Sequence, residues 1–250
     1  MPSNQPIGIF DSGFGGLTVA RAIIDLLPSE DIVYFGDTSR YPYGPQPLEE
    51  VKSYSEQISD YLIAEHDVKM IVIACNTASA AAEGDLRNST EIPIVGVITP
   101  GAQAVAEVSS TKKIGVIGTV GTINSQAYEN AIKGISPENI ELVSVACPGF
   151  VEFVERGEFE GEQVRILADR LLAPVIQADV DALLLGCTHY PYLARAIGES
   201  VGEGVVLVSS ADETAFAVAK SLRAKDLETT NINQGNRTFI SSGDVSWFAE

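Results

Sequence analysis

Short runs that are apolar at almost every residue recur along this chain, and few folds accommodate them. Ile7–Phe10, Ile32–Phe35, Met70–Ala74, Ile94–Val97, Lys113–Ile117, Glu141–Val145, Ala182–Leu185 and Val205–Val208 each read as a strand of four or five residues. A strand with one wet face alternates apolar and polar residues. A strand without that alternation is buried on both faces, which is the habit of parallel sheets with helices on either side. Helical stretches, among them Leu48–Glu65, Gln126–Lys133 and Glu160–Gln177, fall between the runs, so the class is α/β. Arg237–Ser241 reads as one further strand.

The order of these runs repeats. Ile7-Gly8-Ile9 returns 107 residues later as Ile114-Gly115-Val116. Cys75 returns 112 residues later as Cys187, and Ile94–Val97 returns 111 residues later as Val205–Val208. Near-equal offsets at matched Gly and Cys positions indicate two similar halves. Any α/β chain repeats strands at some spacing, but matched special residues are harder to obtain by chance. Two such halves facing each other would form a cleft between strand ends.

Composition narrows the function. The 250 residues carry 34 acidic and 16 basic side chains, a formal net charge of −18. That surface repels phosphate backbones, so nucleic acid is not an expected partner. No apolar run approaches a membrane span, so no membrane partner is expected either. The chain opens on the polar Met1-Pro2-Ser3-Asn4-Gln5-Pro6 and shows no secretory leader. Three Cys without such a leader read as free thiols in a reducing, cytoplasmic setting. Two His and no Cys-x-x-Cys leave a metal site little to build on.

The chemistry sits where the apolar runs end. Cys75 follows Met70–Ala74 and precedes Asn76-Thr77; Cys187 follows Ala182–Gly186 and precedes Thr188-His189. Both fall at carboxyl ends of strands, where open α/β sheets place ligands. A helix starting just after each Cys would lower its thiol pKa from about 8.5 toward neutrality. A single buried Cys is more often a small core residue, and Cys147, before Pro148-Gly149, reads that way. His189 is the only His in a motif, and His66 reads as a solvated loop residue. Ile7–Thr18 is a strand, a glycine-rich turn and a helix start, with Asp11-Ser12 at the tip. Its glycines do not follow G-x-G-x-x-G, so a carboxylate or ammonium ligand fits better than a nucleotide. Tyr43-Gly44 ends an aromatic loop that offers backbone donors, although a purely structural role is the commoner outcome for such a loop. No Lys lies in any polar loop to anchor a Schiff-base cofactor. One thiolate and one thiol on opposite faces of a carbon would invert it using acid–base groups alone.

In combination, IGIFDSGFGGLTV, YFGDTSRYPYG, ACNTASA, the Gly118–Thr122 loop and GCTHYP resemble the glutamate racemases of the aspartate/glutamate racemase superfamily, over nearly the whole chain. The resemblance implies cofactor-independent interconversion of L- and D-glutamate, supplying D-glutamate for peptidoglycan. It implies a homodimer and two α/β domains, residues 1–97 with 208–250 and residues 98–207, with the active site in the cleft between them. Cys75 and Cys187 match the catalytic thiols, Asp11 the carboxylate assisting the first, and His189 the imidazole assisting the second. Glu155 matches a further acidic helper, although Glu152 stands where the family often has Pro. Asp11-Ser12, Tyr43-Gly44, Asn76-Thr77 and Thr188-His189 match the substrate-binding pairs, and Thr119 and Thr122 a loop that contacts ligand. The family usually continues past Phe248-Ala249-Glu250 into a last helix. Relatives activated by a cell-wall precursor carry an N-terminal extension that this chain lacks, so such regulation is not expected. Two alternatives stay open: a racemase of aspartate or another amino acid, and a non-catalytic binding protein. A disulfide oxidoreductase is disfavoured by the 112-residue separation of the two Cys.

Overall fold

The computed structural model describes residues 3–135 and 140–244. The residues behind the expectation of a further helix, Phe248–Glu250, lie outside the described residues. The chain divides into two compact units. One runs through Val97 and resumes at Ala211; the other is Ile98–Ser210.

The first unit is built from β1 (Ile7–Asp11), α1 (Leu17–Leu26), β2 (Ile32–Gly36), α2 (Leu48–His66), β3 (Met70–Ile73), α3 (Asn76–Ser89) and β4 (Ile94–Gly96). The second contains α4 (Ile98–Val108), β5 (Lys113–Gly118), α5 (Val120–Asn124), α6 (Ala127–Ile135), β6 (Glu141–Ala146), α7 (Phe150–Glu155), α8 (Glu162–Gln177), β7 (Ala182–Gly186), a 3-10 turn (Tyr190–Leu193), α9 (Ala194–Val201) and β8 (Val206–Ser209). The chain then returns to the first unit as α10 (Ala211–Ala224) and β9 (Arg237–Ser241). The second unit therefore ends at Ser210 rather than at 207. The reason is pairing: β8 carries Leu207 opposite Leu183 and Ser209 opposite Leu185, which ties the whole strand to the second sheet.

All ladders are parallel. The first sheet has the order β4-β3-β1-β2-β9 and the second β6-β5-β7-β8. Reversed, the second reads β8-β7-β5-β6, which is the first order with each strand replaced by its repeat. The duplication in the sequence is thus a duplication of topology, and β9 is the strand without a counterpart.

The central strands of each sheet are covered on both faces, which is why they are apolar almost throughout, whereas the edge strands β6, β8 and β9 carry polar and exposed residues. Ile7, Ile9, Ile32, Tyr34, Met70 and Val72 pack with Val19 and Ile23 of α1 and Val218 and Leu222 of α10. Phe10, Val33, Ile71 and Ile73 point the other way, onto Val51, Ile58 and Leu62 of α2 and Ala78 and Leu86 of α3. In the second unit Leu183 and Leu185 meet α8 and α9, while Ile114, Val116 and Leu184 meet α4 and α6. Each fully buried aliphatic side chain contributes about 1.5–3 kcal/mol relative to leaving it in water. Among the described residues no helix is long and apolar enough to cross a membrane.

The amino ends of the first sheet are held by a buried ion pair. Lys69 Nζ lies 2.6 Å from Glu30 Oε2, with side chains only 1% and 4% exposed. Lys69 also donates to the Ser3 carbonyl at 2.6 Å, and Thr229 N–H donates to Glu30 Oε1 at 2.9 Å. One charge pair thus joins the segments ahead of β1, β2 and β3 to the segment after α10. Removing one partner of such a pair strands the other charge, at a cost of about 3–5 kcal/mol. Lys69→Met is expected to lower unfolding stability by that amount in urea titration, and Lys69→Met with Glu30→Leu to recover most of the loss.

Candidate active site

The residues singled out in the sequence fall into two groups, one at the carboxyl edge of each sheet. In the first unit, Asp11 ends β1 and is fully buried. Its Oδ2 accepts from Gly13 N–H at 2.9 Å, and Tyr34 Oη donates to the Gly13 carbonyl at 2.8 Å. Gly16 has to be glycine here: a Cβ would stand 2.5 Å from the Asp11 Cβ and 2.9 Å from Tyr34 Oη.

Cys75 follows β3 and is the N-cap of α3. Its Sγ accepts from Ala78 N–H at 3.5 Å and lies 3.9 Å from Ser12 Oγ, to which the thiol donates. The sulfur therefore occupies the place where a capping side chain satisfies the helix's first donors, and the N-terminal dipole favours negative charge there. Asn76 and Thr77, the first residues of α3, are buried beside it.

Tyr43 packs in the same apolar cluster as Cys75. Its hydroxyl donates to Oδ2 of Asp37, a fully buried carboxylate just past β2. Asp37 also accepts from Arg40 Nε at 2.6 Å and from Ser242 Oγ at 2.7 Å. Burial first, and the Asp37 charge second, push the Tyr43 pKa upward, so the phenol stays a donor. Gly44, next along this loop, is half-buried. Asp37 is not among the residues expected from the sequence. The available signal was a carboxylate directly after an apolar run, the situation of Asp11.

In the second unit Cys187 follows β7 and differs from Cys75. An α-helix does not start after it; the 3-10 turn Tyr190–Leu193 intervenes, capped by His189, before α9 begins at Ala194. The expected helix N-terminus is replaced by side chains. His189 Nδ1 lies 3.8 Å from Cys187 Sγ and 3.4 Å from Thr188 Oγ1. Its Nε2 lies 2.6 Å from Glu155 Oε1, at the last residue of α7. An ionised carboxylate only accepts, so Nε2 carries the proton and Nδ1 presents its lone pair to the thiol. Cys187, His189 and Glu155 thus form a thiol–imidazole–carboxylate relay, the arrangement that activates a sulfur by an oriented base. Thr119 caps α5, accepting from Thr122 N–H at 3.2 Å, and the two hydroxyls are 2.9 Å apart.

His66 is the last residue of α2 rather than a loop residue; its ring meets Tyr61 edge-on at 5.4 Å. Among the described residues no group of three or more His, Cys, Asp or Glu is placed to hold a metal ion.

Residues 10–218 match the model of the Asp/Glu/hydantoin racemase family. The chain belongs to this family. It is 51% identical over 238 residues to the glutamate racemase of Geobacter metallireducens, covering 95% of this chain and 87% of that protein. The crystal structure of glutamate racemase isoform RacE1 from Bacillus anthracis superposes with a TM-score of 0.94 at 42% identity, over 98% of this chain and 91% of that one. The glutamate racemase of Francisella tularensis, solved in complex with D-glutamate, gives 0.90 at 36% identity, over 96% and 89%.

Cys147 differs from the two strand-end thiols. It is 1% exposed, and burial, reinforced by the nearby Cys187, pushes its thiol pKa up to about 12 from 9.0. The folded state therefore holds a proton that the unfolded chain releases above about pH 9. Stability is unaffected below that pH and falls by about 1.4 kcal/mol per pH unit from there toward 12. Cys147→Ala is expected to unfold less steeply over this window, measured as urea midpoint against pH.

Proposed function

We propose that this protein interconverts L- and D-glutamate without a cofactor, by two-base proton transfer at Cα. Cys75 and Cys187 are the two bases. One thiolate takes the α-proton, the Cα–H electron pair passes into the carboxylate as an enolate-like form, and the opposite thiol returns a proton to Cα. The observation that carries this reading is that both thiols sit at sheet edges, each supplied with its own means of holding negative charge. Cys75 has a helix N-terminus and Ser12; Cys187 has His189 and Glu155. A pure binding protein has no use for both. Glutamate is carried over from the relatives' names as the substrate.

Asp11 serves the Cys75 side. Asp11-Ser12, Tyr43-Gly44, Asn76-Thr77 and Thr188-His189 bind substrate, as do Thr119 and Thr122. Family membership also supports a homodimer, a cytoplasmic location and a role in supplying D-glutamate for peptidoglycan.

Cys75→Ser and Cys187→Ser are each expected to lower racemization by about 10²–10⁴-fold, because a hydroxyl does not hold the needed base at neutral pH. Circular dichroism of L-Glu, D-Glu and L-Asp reactions measures this and tests the substrate. Near-normal turnover in either variant would sink the two-thiol reading.

In heavy water, L-Glu is expected to yield D-Glu labelled at Cα while the remaining L-Glu gains little label early. The thiol that removes a proton returns that same proton; the opposite thiol carries one equilibrated with solvent. Equal label in both pools at low conversion, read by mass spectrometry of the separated isomers, contradicts two separate bases.

A further inference from the structure

The relay in the second unit depends on a contact between distant parts of the chain. His189 and Glu155 are 34 residues apart, and each sits on a weak element. Helix α7, which ends in Glu155, has only six residues and an N-cap, Gly149, that supplies no side-chain cap. Helices this short are not self-sustaining. The turn that follows His189 is a 3-10 turn of four residues. Something else has to hold the two together.

Tyr190 does so from three directions. Its backbone N–H donates to the Cys187 carbonyl at 3.1 Å, closing the turn that carries His189. Its hydroxyl donates to the Cys147 carbonyl at 3.1 Å, at the entry to α7. Its ring meets Phe150, the first residue of α7, edge-on at 5.3 Å and 82°. Tyr190 and Phe150 are both fully buried. Phe150 N–H reaches the same Cys147 carbonyl only at 3.5 Å, so the tyrosine makes the shorter bond there. Burial, with Cys187 and Cys147 close by, raises the Tyr190 pKa well above its ordinary value, so the hydroxyl stays a donor.

We infer that Tyr190 is the positioning residue of this relay: it clips the turn after Cys187 to the start of α7 and so sets the approach of Glu155 to His189. The inference rests on the proposed role of Cys187 and His189 as a base pair. A displacement of about 1 Å in a reacting geometry costs up to about 10²-fold in rate.

The test is Tyr190→Phe, which removes one oxygen and keeps the ring. The variant is expected to melt cooperatively and to racemize about 10- to 100-fold more slowly. Its primary isotope effects with Cα-deuterated L-Glu and Cα-deuterated D-Glu are expected to rise unequally, because Tyr190 supports only one of the two thiols. In a double-mutant cycle with Glu155→Gln, the two losses are expected to be strongly less than additive, because both break one contact. The chain has two His, so the downfield imidazole N–H signal of His189 is assigned with His66→Gln. That signal is expected to be lost or shifted in Tyr190→Phe. An unchanged rate, additive losses, or a slower enzyme with an unchanged isotope-effect ratio and N–H signal would each overturn the inference. Phe150→Leu, which removes the ring contact alone, repeats the comparison if Tyr190→Phe folds poorly. If the wild-type protein does not racemize glutamate, the proposed function fails, and the N–H signal still decides the role of Tyr190.

Discussion

A parallel strand buried on both faces has room for polar chemistry only at its ends. Both faces of every central strand here meet helices, and β1, β2 and β7 are buried at every residue. Asp11, Asp37, Cys75 and Cys187 all stand at or just past a strand's carboxyl end. The backbone ladder continues past those ends and locks them in register. Asp37 N–H donates to the Asp11 carbonyl at 2.9 Å, Ala74 N–H to the Phe10 carbonyl at 2.9 Å, and Cys147 N–H to the Gly118 carbonyl at 2.9 Å. Side-chain positions at each edge are thus inherited from sheets whose stability comes from apolar packing. Reactive groups placed this way rest on rigid elements rather than on mobile loops.

The two edges use one topology and two electrostatic solutions. At Cys75 the sulfur caps α3, accepting from Ala78 N–H, and its thiol donates to the Ser12 hydroxyl. At Cys187 the turn Tyr190–Leu193 displaces the following helix, with Pro191 near its start, and the thiol instead faces the Nδ1 lone pair of His189, backed by Glu155. The two halves have therefore diverged at the point where chemistry is done while keeping strand order.

Where strands lie was legible because a doubly covered strand announces itself by unbroken apolar content. Arg237–Ser241, polar at both ends and not buried, was legible only as a short strand around Phe239-Ile240, and its place beside β2 was not, since pairing register is a property of two segments. The site residues that precede a helix or follow a strand were visible as local motifs. Asp37 was not, because its partners Arg40, Tyr43 and Ser242 converge only in the fold, the last from 205 residues away. The assumption of a helix start at Cys187 failed for a local reason. His189-Tyr190-Pro191 permits a 3-10 turn, and the buried Tyr190 side chain, bonded to Cys147, rewards it. Tertiary contact overrode the analogy with Cys75.

The reaction itself ties the two directions together across two different half-sites. L- and D-glutamate are mirror images, so their equilibrium constant in solution is one and kcat/KM has to be equal in the two directions. On the proposed two-thiol reaction, every turnover crosses two proton transfers, one at each thiol, whichever isomer enters. The slower transfer governs both directions, and lowering only the other barrier changes neither. The symmetry of the substrates thus equalises the two directions, not the two transfers, and whichever half-site has the higher barrier sets both. The elements that keep the relay aligned therefore matter to both directions equally, even though they touch only one thiol.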